Sequence, residues 1–286
     1  MTRLTVRDIQ KMKVDGEAIP VLTAYDAPSA KICDLAGVPI ILVGDSLGMV
    51  VQGHETPIPV TLEHMIYHAS MVSRVAKHAL IVGDLPFMTY NASIEQAMIS
   101  SGRLMQEGGV NAVKLEGGVR NAETIDRIVK AGIPVMGHIG LTPQSVNQLG
   151  GMRVQGRELD GARELLADAK AVEEAGAFAI VLESMPAPLG EMITSNLKIP
   201  TIGIGAGPGC DGQVQVWHDI LGIFDDFLPR HTRRYAELST VMRDAVTAYV
   251  EDVKAHQFPT ADNSFSMKDE VLNSLRTNGS EQHAGH

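Results

Sequence analysis

The sequence predicts an α/β fold, a closed (β/α)8 TIM barrel, on three observations. Short, almost wholly apolar runs recur along the chain, as in "IILVGDS" and "LIVGDLP", and a run that apolar reads as a strand buried on both faces. Stretches of helical period lie between them. Eight such strands in about 250 residues suit a closed parallel barrel with right-handed crossovers better than an open doubly wound sheet.

In chain order, the strands are placed at "PVLTAYD", "IILVGDS", "LIVGDLP", "AVKLEGG", "VMGHIG", "AIVLES" and "TIGIGAG", with an eighth inside "VQVWHDILGI". The units "DLAGVPIILVGDS", "QEGGVNAVKLEGG", "VKAGIPVMGHIG" and "EEAGAFAIVLES" share one order: a helix tail, a glycine stop and a strand. Glycine suits the left-handed conformation that ends a helix. Between the second and third strands, "TLEHMIYHASMVSRVAKH" puts Leu62, Met65, Ile66, Ala69, Val72 and Ala76 on one face, at spacings of three and four. No linker or composition break divides residues 1–260, which are expected to form one catalytic domain. Residues 261–286 are a polar tail, expected to be mobile, with one short helix around "MKDEVLNSL".

Composition narrows the function classes. The 286 residues carry a net charge of −10 and are 44% hydrophobic but only 4% aromatic. An acidic chain without a basic stripe is a poor partner for nucleic acid or an anionic membrane. No apolar run reaches the ~20 residues that span a bilayer, and "MTRLTVRDIQ" lacks the apolar segment of a secretory signal. Cys33 and Cys210 read as reduced thiols. The expectation is a cytoplasmic protein.

An unpaired carboxylate at the end of a buried strand is costly, yet Asp45 and Asp84 both stand there. In a barrel the C-terminal strand ends form the active-site face. The polar residues at those ends are Tyr25, Asp26, Asp45, Ser46, Asp84, Lys114, Glu116, His138, Glu183 and Ser184. Asp and Ser also cap helices, so each taken singly has a plainer reading. Caps do not call for lysine, histidine and glutamate at neighbouring strands. Carboxylate oxygens without a Cys/His cluster suit a hard cation such as Mg²⁺, held by one or two carboxylates, here Asp45 and Asp84. Lys114 would balance an anionic substrate or a developing enolate. Glu183, behind "AIVL" and beside Met185 and Pro186, sits in a setting that raises a carboxyl pKa and suits a general base. "GPGCDG" matches a dinucleotide-binding spacing but follows a late strand, which argues against that role. His64 and His68 lack the glutamate of a zinc-binding helix and read as exposed helix residues.

The motifs "TAYD", "LVGDSLGMVVQGH", "DLPFM", "VKLEGG", "GHIGLTPQSVNQLGG", "VLE" and "IGIGAGPGCDGQ" closely resemble those of the ketopantoate hydroxymethyltransferase family, from about Thr5 to Phe265. The resemblance implies a barrel of the phosphoenolpyruvate/pyruvate type, assembled as a homo-oligomer, usually a decamer. It also implies transfer of a hydroxymethyl group from 5,10-methylenetetrahydrofolate, a co-substrate, to 3-methyl-2-oxobutanoate. The product is 2-dehydropantoate, the first committed step of pantothenate synthesis, reached through a Mg-stabilised enolate. Matched motif by motif, Asp45 and Asp84 correspond to ligands of one Mg²⁺ per subunit and Glu116 to a water-mediated third. Ser46 and Lys114 match groups that hold the 2-oxo acid, as Asp45 and Asp84 do through the metal; Glu183 matches the general base. His138 lines the same site without an assigned role. Pro57-Ile58 departs from the family's usual Thr-Leu in a lid-like stretch. Two rival readings are a Mg²⁺-dependent lyase or mutase on another small 2-oxo acid and a non-catalytic scaffold.

Overall fold

The computed structural model describes residues 2–224 and 228–281. Eight parallel strands close into a barrel in sequence order. The chain runs α1 (Val6–Asp15), β1 (Ile19–Thr23), α2 (Ala27–Leu35), β2 (Ile40–Val43), α3 (Leu47–Val50), α4 (Leu62–Val75), β3 (Leu80–Asp84) and α5 (Ile94–Gly108). It continues with β4 (Ala112–Glu116), α6 (Ala122–Lys130), β5 (Val135–Gly140), α7 (Val146–Leu149), α8 (Leu159–Glu174), β6 (Ala179–Glu183) and α9 (Ala187–Asn196). β7 (Thr201–Ile204), β8 (Gly212–Gln215) and α10 (Trp217–Ile220) complete the barrel sequence. The barrel belongs to a compact unit ending at Ala236; a second begins at Glu237.

Strand side chains alternate between two apolar layers, as the two-residue period requires. Ile40, Leu42, Leu80, Val82, Ala112, Met136, Ala179, Val181, Ile202 and Val214 fill the barrel, joined by Ile9 of α1. Ile41, Val43, Ile81, Val113, Leu115, Ile139, Ile180 and Leu182 point the other way, into the layer packed against the helices. Continuing the inward parity past Val82, Ala112, Met136 and Val181 brings Asp84, Lys114, Glu116, His138 and Glu183 to the mouth. The alternation that packs the core therefore also aims the polar strand ends.

The sequence-predicted helix over Leu62–Val75 forms, with a Thr61/His64 capping box and Leu62, Met65, Ala69 and Val72 buried. Its histidines differ from the expectation. Both are half-buried, and His68 Nδ1 lies 2.6 Å from the Tyr25 carbonyl oxygen. β8 also starts earlier than expected, while "WHDI" is helix. Strand closure explains this: Gly212 pairs with Ile19, where a Cβ on Gly212 would lie 2.2 Å from the Ile19 carbonyl oxygen. Only glycine permits that approach.

In the second unit, α11 (Leu238–Lys254) buries none of its side chains, and α12 (Asp269–Glu281) overlaps the helix expected in the tail. No helix among the described residues is long and apolar enough to cross a membrane.

Candidate active site

The mouth divides into two clusters. In the first, Asp84 ends β3, and its Oδ1 accepts from Lys114 Nζ at 2.7 Å; both side chains are buried. Asp84 Oδ2 accepts from the Asp45 backbone N–H at 3.1 Å, drawing the turn after β2 towards β3. Ser46 makes no capping bond to α3; its hydroxyl lies 2.8 Å from the Tyr25 hydroxyl. Asp26, by contrast, is a helix cap, accepting from Ser29 N at 2.8 Å. One member of the strand-end set thus has the plain explanation, and Ser46 does not.

Charge in this cluster is unbalanced. Asp45, Asp84 and Glu116 are buried together with one ammonium, Lys114. Burial, reinforced by Asp84, pushes the Asp45 carboxyl up to about 7, against the pull of Lys114 and Gln144. Burial and the neighbouring Asp45 likewise hold Glu116 well above the usual carboxylate range. Burial works against the Lys114 ammonium, but Asp84, Asp45 and Glu116 outweigh it and raise its pKa. Such a set of buried oxygen donors, three carboxylates to one ammonium with two of the carboxyls inclined to keep protons, fits a hard divalent cation that would take the place of those protons. Among the described residues no three His, Cys, Asp or Glu side chains close on one point as a ready-made metal site. Magnesium takes one or two protein carboxylates and keeps its waters.

In the second cluster, His138 Nε2 lies 3.1 Å from Glu183 Oε2, and Nδ1 lies 3.6 Å from Glu116 Oε1. Neither ring nitrogen has hydrogen-bond geometry to a partner. The first approach is close without hydrogen-bond alignment and the second is too long, so both nitrogens remain uncommitted. Glu183 is the most accessible of the mouth carboxylates paired here, its side chain 16% exposed against 3% for Asp84 and 2% for Glu116. Ser184, next in sequence, sits at φ +47° with its N–H bonded to the Ile204 carbonyl at 2.8 Å. A left-handed non-glycine costs about 1–2 kcal/mol, a strain that fixes the exit of β6 directly behind Glu183.

The sequence reading missed two residues that tie the site together. Gln144 donates through Nε2 to Asp45 Oδ2 at 2.7 Å and to the Leu85 carbonyl at 3.0 Å. Its backbone N–H donates to Glu116 Oε2 at 3.1 Å, and its Oε1 accepts from the Tyr90 hydroxyl at 2.7 Å. Tyr90 Oη in turn accepts from Glu116 N at 3.2 Å. "GHIGLTPQS" contained Gln144, but no spacing rule marks an amide in a single 3₁₀ turn as a partner of a strand-end aspartate 99 residues away.

The structure thus brings Asp45, Ser46, Asp84, Lys114, Glu116, His138 and Glu183 to one end of one barrel. The barrel fold is shared with solved structures of low sequence identity. 2,3-Dimethylmalate lyase superposes with a TM-score of 0.59 at 16% identity over 99% of both chains. Phosphonopyruvate hydrolase, solved with oxalate and Mg²⁺, gives 0.57 at 13% identity over 98% of this chain and 99% of that one. Sequence narrows the class. The ketopantoate hydroxymethyltransferase family model matches residues 3–261. A 3-methyl-2-oxobutanoate hydroxymethyltransferase of Chloroflexus aggregans is 63% identical, covering 93% of this chain and 94% of its own. One from Dehalococcoides mccartyi is 56% identical over 96% of this chain and 97% of its own. The chain belongs to the ketopantoate hydroxymethyltransferase family and is an enzyme of it.

Proposed function

We propose that the protein transfers a hydroxymethyl group from 5,10-methylenetetrahydrofolate to 3-methyl-2-oxobutanoate, forming 2-dehydropantoate in pantothenate synthesis. The observation that carries this reading is the pairing of a buried, charge-unbalanced Asp45–Asp84–Lys114 cluster with an uncommitted Glu183–His138 pair at one barrel mouth.

Asp45 and Asp84 would hold one Mg²⁺ per subunit, with Glu116 in support through water. When bound, Mg²⁺ supplies Lewis-acid polarisation of the 2-oxo acid. Ser46 and Lys114 orient the 2-oxo acid, and the Lys114 ammonium offsets charge that develops on its oxo group. Glu183 takes the proton from C3. The resulting enolate carbon forms a C–C bond to the folate-borne carbon. That carbon's two bonds to folate nitrogen both break, one as the C–C bond forms and the other as water supplies the hydroxyl oxygen. The C3 proton and one proton of the water end on the two freed nitrogens. The four hydrogen bonds of Gln144 keep the Asp45 and Glu116 carboxylates in place.

The family resemblance supports a cytoplasmic homo-oligomer, a decamer, without nucleic acid or membrane as partner. Sedimentation of the purified chain tests the assembly, and a stable monomer contradicts it. The activity is tested with 5,10-methylenetetrahydrofolate, 3-methyl-2-oxobutanoate and MgCl₂, following 2-dehydropantoate by mass spectrometry. Product should form and should cease with EDTA. Absence of product with full metal loading refutes the reading.

A further inference from the structure

A cavity of about 510 Å³ lies beside the mouth, apart from the side chains assigned to the 2-oxo acid. Its walls come from the loops after β4 and β5 and from α8. This volume is ordinary for a small-molecule site. The cavity touches the catalytic end through backbone. A Cβ on its wall residue Gly140, at φ +93°, would lie 2.1 Å from the Glu183 carbonyl oxygen. The Leu141 N–H donates to that same oxygen at 2.9 Å.

Three features of the lining define a ligand class. Glu164 and Asp168 both line the cavity four residues apart on α8, a like-charge spacing that costs helix stability instead of adding to it. Asp168 is fixed in place: its Oδ1 accepts from Val119 N at 2.8 Å, and Gly118 presses so close that a Cβ there would lie 2.1 Å from the carboxyl. Leu165 and Ile139 give apolar wall, and Val119, 58% exposed, gives an apolar lip. Arg120 lines the same cavity. A pterin ring presents a 2-amino group and N3–H side by side, a donor pair that one carboxylate accepts bidentately, and its faces are apolar. A glutamate tail presents carboxylates suited to a guanidinium fork.

We infer that this cavity seats the one-carbon donor, with the pterin edge on the Glu164/Asp168 carboxylates and the glutamate end towards Arg120. The inference rests on the proposed transferase reading and adds the place of its second substrate.

Gly161, on the α8 wall, allows a direct test. A Cβ there meets nothing closer than the Gly156 Cα at 3.5 Å, so Gly161→Leu fits the helix and fills the cavity. Tetrahydrofolate binding to the Mg²⁺-loaded protein is measured by calorimetry, alongside folate-free deuterium exchange at C3 of 3-methyl-2-oxobutanoate. Gly161→Leu and Glu164→Gln should each weaken tetrahydrofolate binding at least tenfold and raise KM for the donor similarly, with C3 exchange retained. Arg120→Gln should weaken tetrahydrofolate but leave 6-methyltetrahydropterin, which lacks the glutamate, unchanged. Unaltered tetrahydrofolate binding in Gly161→Leu, or none in the wild type, overturns the inference. Wild-type protein that fails to exchange C3 overturns the transferase reading instead.

Discussion

The two sides of the barrel mouth solve opposite problems. On the β2–β4 side, Lys114 is bonded to Asp84, Asp84 to the Asp45 backbone, and Asp45 to Gln144. On the β5–β6 side, His138 and Glu183 approach each other without a hydrogen bond, and Glu183 keeps contact with solvent. A group that must hold charge in fixed geometry benefits from satisfied partners, because preorganised charges need not reorganise during reaction. A group that must take a proton needs an open lone pair. On the proposed reading, the contrast separates the residues that hold charge from the one that takes the proton.

The largest effect on stability should come from Lys114→Met. It leaves three buried carboxylates without their ammonium, and breaking a buried pair costs about 3–5 kcal/mol. For a chain of this size that lowers Tm by roughly 6–20 °C in metal-free protein. A melting curve that does not move contradicts the tightly held side of the comparison.

Gln144→Leu should rank next. It strips partners from Asp45 and Tyr90 at about 1–3 kcal/mol for each buried group left unsatisfied. Loss of an orienting partner should also weaken Mg²⁺ about 10–100-fold by calorimetry. Wild-type metal affinity in this variant would show that Asp45 needs no orientation from the β5 loop.

The same cluster sets a pH dependence. Its sign follows from Asp45 binding a proton in the folded state up to about 7, above its usual 3.8. The folded state then holds more protons than the unfolded state across that window, so metal-free stability falls as pH rises from about 4 to 7. Mg²⁺ affinity should rise over the same range, because a ligating carboxylate must be ionised. Thermal melts at stepped pH, with and without MgCl₂, should diverge as pH increases. Parallel curves would place Asp45 outside the metal's reach.

Ser46→Ala should do least. It removes one partly buried hydroxyl contact with Tyr25, worth about 1 kcal/mol, and should raise KM for the 2-oxo acid more than it lowers kcat. An effect as large as that of Gln144→Leu would erase the distinction between anchoring and orienting groups.

Much of this arrangement was legible in the sequence because one rule, the two-residue period of a strand, governs both packing and aim. "LIVGD" and "AVKLE" place Asp84, Lys114 and Glu116 on the face that Val82 and Ala112 bury. Asp26 was not separable from the site by that rule, since a cap and a strand-end ligand share a sequence pattern until the Ser29 bond is seen. The onset of β8 was displaced because closure depends on a glycine's fit against Ile19, a contact 193 positions away in the chain. Tyr90 sits on a loop and Gln144 in a single 3₁₀ turn, Pro143–Ser145, where no period links residue to face. Only the closed barrel brings them to Glu116 and Asp45.

The central claim is that Glu183 acts and the Asp45–Asp84–Lys114 cluster holds. Deuterium exchange at C3 of 3-methyl-2-oxobutanoate in D₂O, with Mg²⁺ and no folate, isolates the first chemical step. Wild-type protein should exchange that proton. Glu183→Gln should still bind Mg²⁺ and the 2-oxo acid by calorimetry, yet lose exchange and turnover together by about 10²–10⁴-fold. Exchange at the wild-type rate in Glu183→Gln would contradict the account and move proton abstraction to another group, with His138 the first to test.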